Sequence, residues 1–89
     1  MNDLITKVDE TVDVVTSFTA GGGPTKLCRP YKMRWRGQEV TFKELAFRHP
    51  TTKGQRMIHV FDMSDGEADY RLELDSELLT WRLIEILKS

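Results

Sequence analysis

Lys32, Arg34 and Arg36 recur at every second position. In an extended chain that spacing puts all three cations on one face. Such a row can grip phosphates, because contacts to the backbone supply most non-specific nucleic-acid affinity. Lys43 lies further along the same basic stretch. Trp35, Phe42 and Phe47 would stack on bases if they were exposed. The alternation argues against that combination: Tyr31, Met33 and Trp35 fall on the face opposite the cations, so the aromatic row is aimed at a core.

Charge is the most uneven property of the chain. Residues 26–56 carry nine basic groups and two acidic ones, a balance of +7, whereas residues 57–89 balance to −5 and residues 1–25 to −3. The net charge of −1 gives no global field that would select a polyanionic partner. Antiparallel strands pair opposite charges across the ladder. The competing expectation is therefore that the basic hairpin is neutralised by acidic strands carrying Glu67, Asp69, Glu73, Asp75 and Glu77.

The remaining reactive residues form no recognised constellation. Cys28, His49 and His59 are three metal-ligand types, but their spacing matches no zinc motif. Cys28 has no histidine signature that would make it a nucleophile. His59 is in phase with Met57, Phe61 and Met63, which reads as a packed, hydrogen-bonded histidine. Gly21-Gly22-Gly23-Pro24-Thr25-Lys26 misses the GxxxxGK[ST] spacing of a phosphate loop and reads as a connector. Asp62, Asp65, Glu67 and Asp69 lack the ligand order of a calcium loop and read as a solvated turn. With no triad, carboxylate pair or metal box, the expectation is a protein that is not an enzyme and has no cofactor, no metal site and no catalytic residues.

The elements that position these groups are strands. Apolar and polar residues alternate through Tyr31–Trp35, Val40–Phe42, Met57–Met63 and Tyr70–Leu74, with turn chemistry at Arg36-Gly37, Lys53-Gly54 and Asp65-Gly66. Val8–Phe18 is dense in β-branched residues, which favours a strand over the helix that Leu4, Ile5, Val8, Val12 and Val15 would also fit. Residues 1–7 read as a loose lead-in, Ala20–Pro30 as the longest loop and His49–Gly54 as a second loop. Beyond Phe42 the apolar phase slips, so that a bulge or bend is needed to turn Leu45 and Phe47 into the core. After a turn at Asp75-Ser76-Glu77, Thr80–Leu87 reads as a last strand, with a C-terminal helix as the alternative.

Eighty-nine residues make one domain, residues 8–89 after the lead-in, and a chain this short buries only about 60% of its unfolded surface. No apolar run approaches the ~20 residues that span a bilayer. Met1–Glu10 does not read as a signal peptide. The lone cysteine points to a reducing cytoplasm, and no membrane partner is expected.

The residues Val12-Asp13-Val14-Val15, Met33-Arg34-Trp35-Arg36-Gly37, Ile58-His59-Val60-Phe61, Tyr70-Arg71-Leu72-Glu73-Leu74-Asp75 and Trp81-Arg82-Leu83 give the chain a string that resembles a family of small uncharacterised bacterial β domains. The likeness covers most of the chain after Val12. It implies a compact β fold and no particular chemistry.

Together these readings specify an all-β, antiparallel, five- to six-stranded roll or partly open small barrel, with a short helical turn near the C-terminus. Trp35, Phe42, Phe61, Leu72 and Trp81 are its expected core. The expected function is that of a non-enzymatic binding or assembly module that meets a protein partner or a second copy through strand edges. The alternative is a nucleic-acid binder using the basic 26–56 region, with Lys32, Arg34, Arg36 and Lys43 as contacts.

Overall fold

The computed structural model describes residues 4–17 and 29–88. Cys28 and the glycine triplet lie outside the described residues, as does most of the Ala20–Pro30 connector. The described chain forms β1 (Ile5–Ser17), β2 (Arg29–Trp35), β3 (Gln38–Thr41), β4 (Glu44–Lys53), β5 (Arg56–Ser64), β6 (Ala68–Asp75) and β7 (Thr80–Lys88). They make one antiparallel sheet in the order β3-β2-β1-β7-β6-β5-β4. The sheet is all-β as expected. It has seven strands rather than five or six, and it is not closed into a barrel.

The strand order forces the sheet to curl. β3 and β4 stand at opposite ends of the order, yet only Phe42 and Lys43 separate them in the chain. Three Cα–Cα steps span at most about 11 Å. Six interstrand spacings in a flat sheet would place the two edges about 29 Å apart. The Phe42 amide still donates to the Tyr31 carbonyl at 2.9 Å, while the next amide, Lys43, donates to the Ser64 carbonyl at 2.7 Å. The chain thus leaves β2 and joins β5 within one residue. Phe42 is carried inward and meets Tyr70 edge-on, with ring centroids 5.6 Å apart.

The concave face is the core. Phe61, Met63, Leu72 and Leu83 are fully enclosed, with Val12, Met33, Ile86 and Trp81 packed around them. Phe61 and Trp81 lie 5.3 Å apart. Of the expected core residues only Trp35 departs, being half-buried at the tip of the β2–β3 hairpin, where it packs against the core margin. That tip is a two-residue turn in which Arg36 and Gly37 both have positive φ, 51° and 78°. This is the backbone that matches the twist of a tight hairpin.

Bulges decide which side chains reach the core. In β2 the pairing slips between Val15↔Lys32 and Thr16↔Pro30. Tyr31 is left as the extra residue; Pro30 is enclosed in its place and Tyr31 is exposed, contrary to the alternation. In β4 the slip expected after Phe42 falls at Ala46, between Leu45↔Met63 and Phe47↔Asp62. It sends only Leu45 to the core and turns Phe47 outward. In β7 the extra residue Ile84 restores the inward aim of Ile86. Opposite it, β1 also carries an extra residue, and Asp9 adopts φ 53° there. Arg82 clamps this bulge by donating to the Asp9 carbonyl at 2.7 Å and to the Asp9 carboxylate at 3.1 Å.

Two boundaries differ from the alternation. β1 begins at Ile5, paired with Leu87, so residues 5–7 of the expected lead-in belong to the sheet. His49–Lys53 continues β4 rather than forming a loop, since Pro50 is tolerated on an edge strand that leaves one side without ladder bonds. The C-terminal segment is strand, as favoured, and the expected helical turn is instead the hydrogen-bonded turn Ser76–Leu79. There the Asp75 carboxylate accepts from the amides of Glu77 and Leu78 at 2.9 and 3.1 Å. Met57, expected inside, is exposed at the sheet margin, whereas Ile58 and Val60 are buried on the outer face beside Asp75 and Glu73. Those two acids pair with Arg56 and Lys53.

Phe61 is 0% exposed at the middle of this core. Replacing it with alanine is expected to destabilise the fold by about 3–5 kcal/mol in chemical denaturation. A loss below about 1 kcal/mol would contradict the packing described.

Candidate functional site

The structure splits the expected cationic row. Arg36 pairs with Glu10 of β1 through its terminal nitrogen and its Nε. Its guanidinium also lies 4.8 Å from the centre of the Trp35 ring, and the Trp35 indole N–H donates to the same carboxylate at 3.0 Å. These donors hold Glu10 below the ordinary carboxylate range, Arg36 contributing most and Trp35 next. Lys32 reaches Glu39 of β3 diagonally at 3.6 Å. Arg34 stands in register between Asp13 and Glu39. Two of the three hairpin cations are therefore paired, by Glu39 and Glu10 rather than by the acidic strands. Those strands answer other cations: Lys53 meets Glu73 at 2.9 Å, and Arg56 meets Asp75 at 3.0 Å and Glu77 at 3.9 Å.

Lys43 is separate from the row. It sits on the β3–β4 link with its side chain across the β5–β6 turn, 3.4–3.7 Å from where a Cβ on Gly66 would stand. Glycine at 66 leaves room for it. The neighbouring Asp65 is already engaged, accepting from the amides of Glu67 and Ala68 and from the Tyr70 hydroxyl, each at 2.8 Å. Beside Lys43 is a cleft of about 250 Å³ lined by Ser17, Arg29, Pro30, Tyr31, Phe42 and Lys43.

The two histidines do not converge. His49 pairs in register with Val60, next to His59, so alternation places the imidazoles on opposite faces of the sheet. His49 packs against Phe47, with centroids 5.1 Å apart, and its Nδ1 is buried without a hydrogen-bond partner. Among the described residues no group of three His, Cys, Asp or Glu is placed to hold a metal ion.

The other surface feature is β4. It ends the strand order and pairs only with β5, so along its ten residues one side of the backbone has no strand beside it among the described residues. Phe47 projects outward from it at 56% exposure. Alternation alone misses both Phe47 and Tyr31, because each is placed by a bulge. The one legible signal was the slip of phase between Phe42 and Leu45. Comparisons with protein-family models, with curated proteins and with solved structures return no match.

The Asp65 turn gives the fold a pH signature. Burial works to raise the Asp65 carboxyl, but its backbone and hydroxyl donors outweigh that and hold it below the ordinary value. The Tyr70 hydroxyl is pushed up to about 12, first by burial and then by donating to Asp65. In acid, unfolded Asp65 takes up its proton near pH ~4 while the folded carboxyl resists. Its stabilisation is therefore complete above that pH and is lost as pH falls through the lower folded value. In alkali the sign reverses: unfolded tyrosine ionises near pH ~10, and the Tyr70 contribution is lost as pH rises from there toward the folded value. Urea midpoints across pH should show both declines, Asp65→Asn flattening part of the acid limb and Tyr70→Phe the alkaline one.

Proposed function

We propose that this protein is a non-enzymatic binding or assembly module whose contact element is the outer edge of β4. The observation that carries the reading is the ten-residue edge strand with Phe47 exposed beside it. A strand with one side unpaired presents backbone donors and acceptors that an incoming strand can complete. Phe47 supplies the apolar anchor that backbone pairing lacks. Pro50 removes one donor and the Ala46 bulge bends the edge. Both features restrict the register a partner strand can adopt and so favour selective over indiscriminate pairing.

The charge pattern points the same way. The ion pairs of Lys32 and Arg36 weaken the reading in which the basic hairpin face itself grips nucleic acid. Among the described residues no helix is long and apolar enough to cross a membrane.

Sedimentation velocity over a wide concentration range tests self-assembly through β4. The expected result is concentration-dependent association that Phe47→Lys abolishes without changing the far-ultraviolet spectrum, together with slowed hydrogen exchange in β4 on association. A strict monomer in which the β4 amides are already protected from exchange would refute the edge as a contact element.

A further inference from the structure

We infer that the cleft at the β3–β4 corner binds a single-stranded nucleic acid, one base stacking on Tyr31 and the adjoining phosphates meeting Arg29 and Lys43. The site is independent of the β4 edge. It differs from the hairpin row, whose cations are largely spent.

Three observations bring the chemistry together. First, the β2 bulge turns Tyr31 out of the core to 53% exposure and seats Pro30 inward. A singly exposed tyrosine is ordinary; this one lines a concavity with Phe42 at its side. Second, both cations of that cleft make no ion pair with a carboxylate among the described residues, a condition shared with Arg34, whereas Lys7, Lys32, Arg36, Lys53, Arg56, Arg71 and Arg82 all do. Third, Lys43 lies across the β5–β6 turn without an ion pair to Asp65. Its stem lies over Gly66, and the Asp65 carboxylate is engaged by two amides and the Tyr70 hydroxyl. Glu67 belongs to the same turn, so a phosphate approaches from the Arg29 side.

A planar ring beside two cations suits a flat base joined to a phosphate. Every base has a face to stack, so such recognition tolerates sequence. A duplex keeps its base faces inside the stack and offers Tyr31 nothing. The ligand chemistry that fits is therefore an unpaired strand.

Fluorescence anisotropy with labelled oligouridylate and oligothymidylate of about eight nucleotides tests the site at two salt concentrations. Binding is expected at low salt, with log K falling with a slope of about −1.4 against log salt for two phosphate contacts. Arg29→Ala or Lys43→Ala should each reduce that slope by about half. Tyr31→Ala should weaken binding about tenfold and Tyr31→Phe should restore it. Lys32→Ala, at a paired hairpin cation, should leave affinity within about twofold. Circular dichroism and thermal unfolding verify that each variant is folded, which the exposure of Tyr31, Arg29 and Lys43 favours. The inference is overturned by no binding at low salt, by indifference to Tyr31→Ala, by equal competition from a duplex of the same sequence, or by equal competition from inorganic polyphosphate, which would mark a plain anion site.

Discussion

A two-residue link governs this fold. Phe42 and Lys43 join the two strands that lie farthest apart in the sheet order, and no flat arrangement allows that. The curl gives an 89-residue chain an inside. It brings Phe42 onto Tyr70 and folds the β2–β3 hairpin so that Met33 and Val40 pack with the Phe61–Leu72–Leu83 row. Hairpin turns and ladders could form locally, but the core exists only once the edges have been brought together.

Bulges and ion pairs then adjust what the curl creates. An extra residue in a strand reverses the aim of every side chain after it. In β7 this keeps Ile86 inside; in β2 and β4 it exports Tyr31 and Phe47. The β1 bulge is secured by Arg82, and the hairpin tip is secured by Glu10 through Arg36 and Trp35. Ion pairs at this level of exposure add little stability each. Their clearer consequence is to remove cations from the surface field. Among the described residues many charges of the uneven runs become short local pairs, while the corner cleft and the long edge of β4 stay uncommitted.

Where the fold offers contacts follows from the same geometry. The edge of β4 is open because the link turns the chain instead of pairing β3 with β4. The cleft lies at that turn, beside the only bulge of β2. Both surfaces are by-products of how the sheet is bent, and neither coincides with the residues that composition and spacing mark as reactive.

Much of the fold was legible from period-two alternation: the strand class, three glycine turns, the C-terminal strand and the buried Phe42, Phe61, Leu72 and Trp81. These depend on local backbone preference and on one face being apolar, which neighbouring residues encode. The candidate contacts were legible only in part. The sequence groups Lys32, Arg34, Arg36 and Lys43 as one basic stretch, whereas in space Lys43 stands on the β3–β4 link, apart from the hairpin. Which acid answers which cation depends on register between strands distant in the chain, as with Glu10 and Arg36. Residue order alone carries an antiparallel β chain with a basic centre and acidic flanks. That Tyr31 and Phe47 face water, that the histidines part to opposite faces and that Lys32 and Arg36 find acidic partners depends on the folded register, since a single extra residue in a ladder changes facing without changing composition.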